Sequence, residues 1–112
     1  MSFFRRNTPE IGIDEFEALR RGGGVSLIDV REEWEYRRGR IPGALSMPLS
    51  QLQSRIADLP QDKRLMVICE SGSRSLAAAD FLLRSGFVGA VSVRGGTSAW
   101  ARSNGPLERD RP

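Results

Sequence analysis

Three short apolar runs constrain this chain more than any other feature: Val25-Ser26-Leu27-Ile28-Asp29-Val30, Leu65-Met66-Val67-Ile68-Cys69 and Ala90-Val91-Ser92-Val93. Each is bounded by a break. Gly22-Gly23-Gly24 precedes the first, Glu70-Ser71-Gly72-Ser73 follows the second, and Gly95-Gly96 follows the third. The runs are continuous rather than alternating, the pattern of strands buried on both faces. Between them lie segments with helical apolar spacing, or dense charge without proline or glycine. Strands alternating with helices predict an α/β domain with a parallel sheet covered on both sides.

The helical segments follow from spacing and caps. Asp14 with Glu17 has the spacing of a capping box and predicts a short helix over 15–21, with Phe16 and Leu19 on one face. The charged stretch 31–38 predicts a second, stopped at Gly39. Ser50 with Gln53 forms another box ahead of Leu52, Ile56 and Leu59, predicting a helix that ends near Pro60. Leu76, Ala79, Leu82 and Leu83 predict a helix from Arg74 closed by Gly86, and Trp100 sits on a last short helix over 97–102. Glu10 to Ile13 and Leu45-Ser46-Met47 read as minor strands. Residues 1–9 read as a flexible leader, 10–107 as one domain and 108–112 as a tail, with the polar stretch from 107 expected to be mobile. A chain of 112 residues fits one domain. Its 39% hydrophobic and 28% charged residues exclude disorder throughout.

Composition also limits the chemistry. There is one cysteine and no histidine. An intramolecular disulfide framework, zinc fingers and histidine-dependent triads are therefore excluded. No metal site or cofactor is implied. No run approaches the roughly 20 apolar residues of a membrane span, and Met1-Ser2-Phe3-Phe4-Arg5-Arg6 lacks the apolar run of a secretory signal. A cytoplasmic protein that binds neither membrane nor nucleic acid is expected. The net charge of +3 is modest, and no long basic run with interleaved aromatics accompanies it.

In open α/β sheets ligands bind outside the carboxyl ends of the strands. Arg31, the loop Glu70–Arg74 and Arg94-Gly95-Gly96 fall there. Three arginines at one sheet edge suit an anionic ligand, unless Arg31 or Arg94 is paired with an acid such as Asp29 or Glu33. Cys69 is the sharpest feature. It ends a buried strand and opens a Gly/Ser loop running into a helix. Backbone N–H groups in such a loop can converge on one point, and the helix N-terminus adds positive potential. Both favour thiolate over thiol, so a reactive cysteine needs no histidine base. A lone cysteine is more often a small core hydrophobe; the strand–Cys–polar loop–Arg–helix context favours the nucleophile. Asp29 reads as a hydrogen-bond anchor, and Trp34 and Trp100 as packing residues. Gly95-Gly96 lacks the spacing of a phosphate loop.

Cys69-Glu70-Ser71-Gly72-Ser73-Arg74 is a Cys-x4-Arg loop, and with it the sequence resembles the rhodanese domains. Leu27-Ile28-Asp29-Val30-Arg31 is similar to the Asp-Val-Arg strand end of that family, and Glu35-Tyr36-Arg37-Arg38-Gly39-Arg40-Ile41-Pro42-Gly43-Ala44 to its Gly-His-Ile-Pro-Gly-Ala signature. Gly86-Phe87, Gly95-Gly96 and Ala99-Trp100 match its closing motifs, so the likeness runs over about residues 10–107 in order. It implies a three-layer α/β/α fold with a mainly parallel five-stranded sheet. It also implies a sulfurtransferase of the thiosulfate type, in which Cys69 takes the outer sulfur of a donor as a persulfide and passes it to cyanide or a thiol. The N–H groups of Glu70, Ser71, Gly72, Ser73, Arg74 and Ser75 would hold the persulfide anion, while Arg74, with Arg31 or Arg94, would attract the small anionic donor. With no second thiol in the chain, the sulfur must leave to an external acceptor, which includes a sulfur-accepting protein.

Two residues depart from expectation. Arg40 stands where the family often has histidine, and Glu70 places an anion beside the cysteine. A phosphatase or arsenate reductase of related fold would use a loop one residue longer. A non-catalytic binding or persulfide-carrier module on the same fold remains the alternative function.

Overall fold

The computed structural model of the chain describes residues 8–110. The elements are β1 (Glu10–Ile11), α1 (Ile13–Gly22), β2 (Val25–Asp29), α2 (Glu33–Arg38), β3 (Leu45–Ser46), β4 (Arg64–Ile68), α3 (Ser73–Arg84), β5 (Val91–Val93) and α4 (Gly96–Arg102). Two short 3-10 turns, Leu49–Gln51 and Ile56–Asp58, lie between β3 and β4. The five strands form one sheet in the order β1-β5-β4-β2-β3, and every neighbouring pair is parallel. The carboxyl ends of β2, β4 and β5 therefore share one edge of the sheet.

Period-two alternation along the strands divides the core into two layers. Ile28, Leu65, Val67 and Cys69 pack with Ala78, Ala79 and Leu82 of α3. Leu27, Met66, Ile68, Val91 and Val93 pack on the other face with Phe16 of α1 and Trp100 of α4. Phe16 meets Trp100 edge to face, with ring centroids 5.4 Å apart and planes at 76°, a geometry that adds about 0.5–1.5 kcal/mol beyond area burial. Cys69 follows β4 in the same alternation, so its side chain emerges on the α3 face at the carboxyl edge.

Several local expectations are corrected. The 50–59 helix is absent: its apolar residues are inside, with Leu52 and Leu59 buried, but the chain winds through the two 3-10 turns. Pro48 precedes the first turn, and the Ser54 hydroxyl bonds back to the Gln51 carbonyl at 3.1 Å. Such side-chain-to-backbone bonds compete with α-helix. Asp14 does not cap α1, because Gly12 is the N-cap and its carbonyl accepts from the Phe16 amide at 2.9 Å. Asp14 thus lies two residues inside the helix. A capping box does occur on α2, between Glu32 and Glu35.

The ends are tied down as well. Within the expected leader, Thr8 is buried and the Pro9 carbonyl accepts from the Ser92 amide; residues 1–7 lie outside the described residues. At the other end, Glu108 bridges antiparallel to Arg40. The Asp110 amide donates to the Arg37 carbonyl, and its carboxylate holds Arg40 at 2.7 Å. Glu108 and Asp110 are thus bonded to α2 and to Arg40 just after it rather than loose.

Candidate active site

Cys69 is fully buried. Its Sγ accepts from the Gly72 amide at 3.1 Å and the Ser75 amide at 3.3 Å. As a thiol it donates toward the Ser75 hydroxyl at 3.5 Å. Gly72 is the N-cap of α3 with φ 112°, a left-handed conformation natural to glycine. That turn aims its N–H inward and starts the helix whose first turn supplies Ser75. Of the loop amides expected to converge on the sulfur, those of Gly72 and Ser75 do so. Ser71 and Ser73 are exposed, and Glu70 points away.

The far wall of the loop is the start of α4. The Thr97 amide donates to the Cys69 carbonyl at 2.9 Å and the Ser98 amide to the Glu70 carbonyl at 3.0 Å. Gly96, with φ 59°, lies so close beneath them that a Cβ would overlap both carbonyl oxygens. The paired glycines therefore serve as a backbone contact for the cysteine loop.

The charged residues sit around this core and are engaged with one another. Arg31 is at the expected edge, but its guanidinium is buried. It grips Asp29 through Nε at 3.0 Å and Nη2 at 2.8 Å, and donates to the Gly39 carbonyl at 2.7 Å. Asp29 is the anchor that its position suggested, its target being Arg31. Arg74 forms a two-pronged pair with Glu35 of α2, at 2.7 and 3.0 Å. The Arg74 bond holds Glu35 below its ordinary carboxylate range, and Glu35 in turn raises Arg74. Glu70 turns onto α4, accepting from the Thr97 hydroxyl at 3.1 Å and the Ser98 hydroxyl at 2.7 Å, with Arg31 Nη1 at 3.7 Å. Arg94 is exposed, 3.9 Å from Glu10. Arg40, in the histidine position of the signature, stacks over Tyr36 at 4.6 Å and pairs with Asp110. A cleft of about 410 Å³ opens beside the loop, lined by Arg31, Trp34, Glu35, Arg38, Gly39 and Glu70. Trp34, 60% exposed, stands on its rim, while Trp100 is in the core.

Sequence reasoning did not single out Glu35, Thr97, Ser98 or Ser92. The first three act across 27 to 39 residues of chain. For Glu35 a signal was available in the 32/35 spacing, although glutamate is a poor N-cap residue.

A parallel α/β sheet carrying a buried cysteine in an amide-lined loop at its carboxyl edge defines a class of protein in which a sulfur atom is held by backbone donors. Comparison with known proteins narrows that class. Residues 12–103 match the rhodanese-like domain family, and the chain belongs to it. A sulfurtransferase of Allochromatium vinosum is 36% identical over 83 residues, covering 74% of this chain and 78% of that protein. A putative sulfur carrier protein of Bacillus subtilis, YrkF, is 32% identical over 82% of this chain and 50% of its own length. Among solved structures, thiosulfate sulfurtransferase from Pseudomonas aeruginosa superposes with a TM-score of 0.85 at 30% identity, over 98% of this chain and 23% of that one. The expected fold, a five-stranded parallel sheet with helices on both faces, is the one observed. Among the described residues no helix is long and apolar enough to cross a membrane.

Proposed function

We propose that residues 10–107 act as a single cytoplasmic sulfurtransferase domain that carries sulfane sulfur on Cys69. In the first half-reaction the Cys69 thiolate attacks the outer sulfur of a donor such as thiosulfate. The donor S–S bond breaks, sulfite leaves with the electron pair, and a Cys69 persulfide remains. In the second, an acceptor such as cyanide or a thiol attacks the terminal sulfur, and the bond to Sγ breaks to return the thiolate. The observation that carries this reading is the convergence of the Gly72 and Ser75 amides on Sγ. Preorganised donors of this kind stabilise a localised anion without ions or reorganisation. Arg74 and Arg31, paired with Glu35 and Asp29, hold the loop against α2 and the end of β2, and the open cleft bordered by Glu70 is the side from which donor and acceptor would approach.

The persulfide-carrier alternative draws support from the relative named as a sulfur carrier. In that reading the second half-reaction is completed on a partner protein's thiol. Steady-state assay separates the two. An enzyme turns thiosulfate and cyanide over to thiocyanate many times, and Cys69→Ser abolishes the turnover. A carrier loads once and discharges only when an acceptor protein is added. Hydrolysis of an aryl phosphate is expected from neither, and finding it would point to oxyanion chemistry instead.

A further inference from the structure

Ser92 is fully buried in the middle of β5. Its neighbours Val91 and Val93 fill the α1/α4 face of the sheet, so alternation turns Ser92 toward the α3 face, the one that holds Cys69. Register places it beside Val67, two residues before the cysteine. A valine would suit an apolar layer, and a hydroxyl there requires a partner. That partner is the Ser75 hydroxyl at 2.8 Å. Ser75 Oγ in turn lies 3.1 Å from the Gly72 carbonyl and 3.5 Å from Cys69 Sγ.

Counting protons gives the pair a task. With Cys69 as a thiol, S–H donates to Ser75 Oγ, and the single Ser75 hydroxyl proton serves the Gly72 carbonyl or Ser92. Once the sulfur loses its proton, Ser75 can turn its O–H toward Sγ. Its oxygen then needs a donor, and Ser92 is within reach to supply one. We propose that Ser92 is a positioning residue for Cys69: it backs the Ser75 hydroxyl, making it a third donor to the sulfur after the two amides whenever Sγ is anionic. This rests on the sulfur-transfer reading for its use. The anionic sulfur is both the attacking species and the leaving group in the second half-reaction, when the acceptor takes the terminal sulfur and the electron pair of the Sγ–S bond returns to Sγ. In the persulfide the charge sits on the outer sulfur, so the relay acts on entry to and exit from that state.

The test compares wild type with Ser92→Ala. Unloaded protein is mixed with thiosulfate below saturation, and gain of the sulfur is timed by intact mass across a range of pH. The ultraviolet absorbance of the thiolate is titrated on the unloaded protein, which has a single cysteine to report. The charged groups around the loop, Arg74 with Glu35 of α2, Arg31 with Asp29 after β2, and Glu70 against α4, are untouched by the substitution. Uptake about tenfold slower near neutral pH is expected, as for loss of one hydrogen bond to a charge. The deficit should close as pH rises, and the thiolate absorbance of the variant should appear only at higher pH than in wild type. Wild-type uptake rates, a deficit that is the same at every pH, or superimposable titrations would overturn the proposal. If Ser92→Ala does not fold, Ser75→Ala removes the donor itself and is read in the same way. A wild type that takes up no sulfur defeats the functional reading alone, because the thiolate titration still decides the relay.

Discussion

Two kinds of polar structure meet at the carboxyl edge of the sheet. Around Cys69 Sγ the partners are neutral: the amides of Gly72 and Ser75 and the Ser75 hydroxyl. A few residues away, Arg31 is held by Asp29, Arg74 by Glu35, and Glu70 by two hydroxyls with Arg31 nearby. The neutral donors leave room for a negative charge to appear on the sulfur. The ion pairs are closed on themselves and serve mainly to fix α2, the β2 end and α4 against the loop. The three arginines that looked like an anion-binding set are thus divided: two brace the site, and Arg94 lies out toward β1. Positive potential reaches a donor only as what is left after pairing.

Substitutions should separate the two kinds. Arg31→Ala strands the Asp29 carboxylate in the core and should cost about 3–5 kcal/mol of stability. It should leave the rate per folded molecule closer to wild type; denaturant unfolding alongside an activity assay reads both, and a large rate loss without destabilisation would make Arg31 a substrate ligand. Arg74→Ala removes a half-exposed cation beside the loop and should raise the thiosulfate KM by roughly threefold to tenfold, diminishing with added salt. Unchanged kinetics would make Arg74 a scaffold residue only. The same pair sets an acid limit. Glu35 is held below its ordinary range chiefly by the Arg74 bond. Its contribution is therefore complete above that range and is lost as pH falls through the lowered value. The difference in Tm between wild type and Glu35→Gln should be largest near neutral pH and shrink on acidification; a constant difference would contradict the assignment. Smallest of all, Glu70→Gln should improve kcat/KM for thiosulfate by roughly twofold at low salt, an exposed charge acting through solvent. A loss instead would mean that the Glu70 contacts to Thr97 and Ser98 matter more than its charge.

What could be read in advance was whatever neighbouring residues decide. The apolar runs 25–30, 65–69 and 90–93 give the strands, and their parallel order brings Arg31, Cys69 and Gly95 to one edge. The cysteine loop was legible because its strand, its Gly72 turn and its helix are contiguous. The partners of that loop were not, because Glu35 reaches Arg74 across 39 residues and Ser92 reaches Ser75 across 17. Nothing local distinguishes Ser92 in Val-Ser-Val from an ordinary small residue. The stretch 50–59 failed for another reason: three- and four-residue spacing of Leu52, Ile56 and Leu59 suits tight turns as well as α-helix, and backbone competition from Ser54 chose the turns. Arg40 shows the same limit from the other side, since its partner Asp110 lies in a tail that composition alone reads as loose.

The central claim is that Cys69 in its cradle of neutral donors is the sulfur-bearing atom. The most direct measurement is intact-protein mass after brief incubation with thiosulfate, followed by cyanide, for wild type and Cys69→Ser, with a polysulfide as second donor. A gain of one sulfur that cyanide removes, absent from the variant, is the predicted result. A wild type that gains no sulfur from either donor, or a Cys69→Ser protein that gains it equally, would contradict the account.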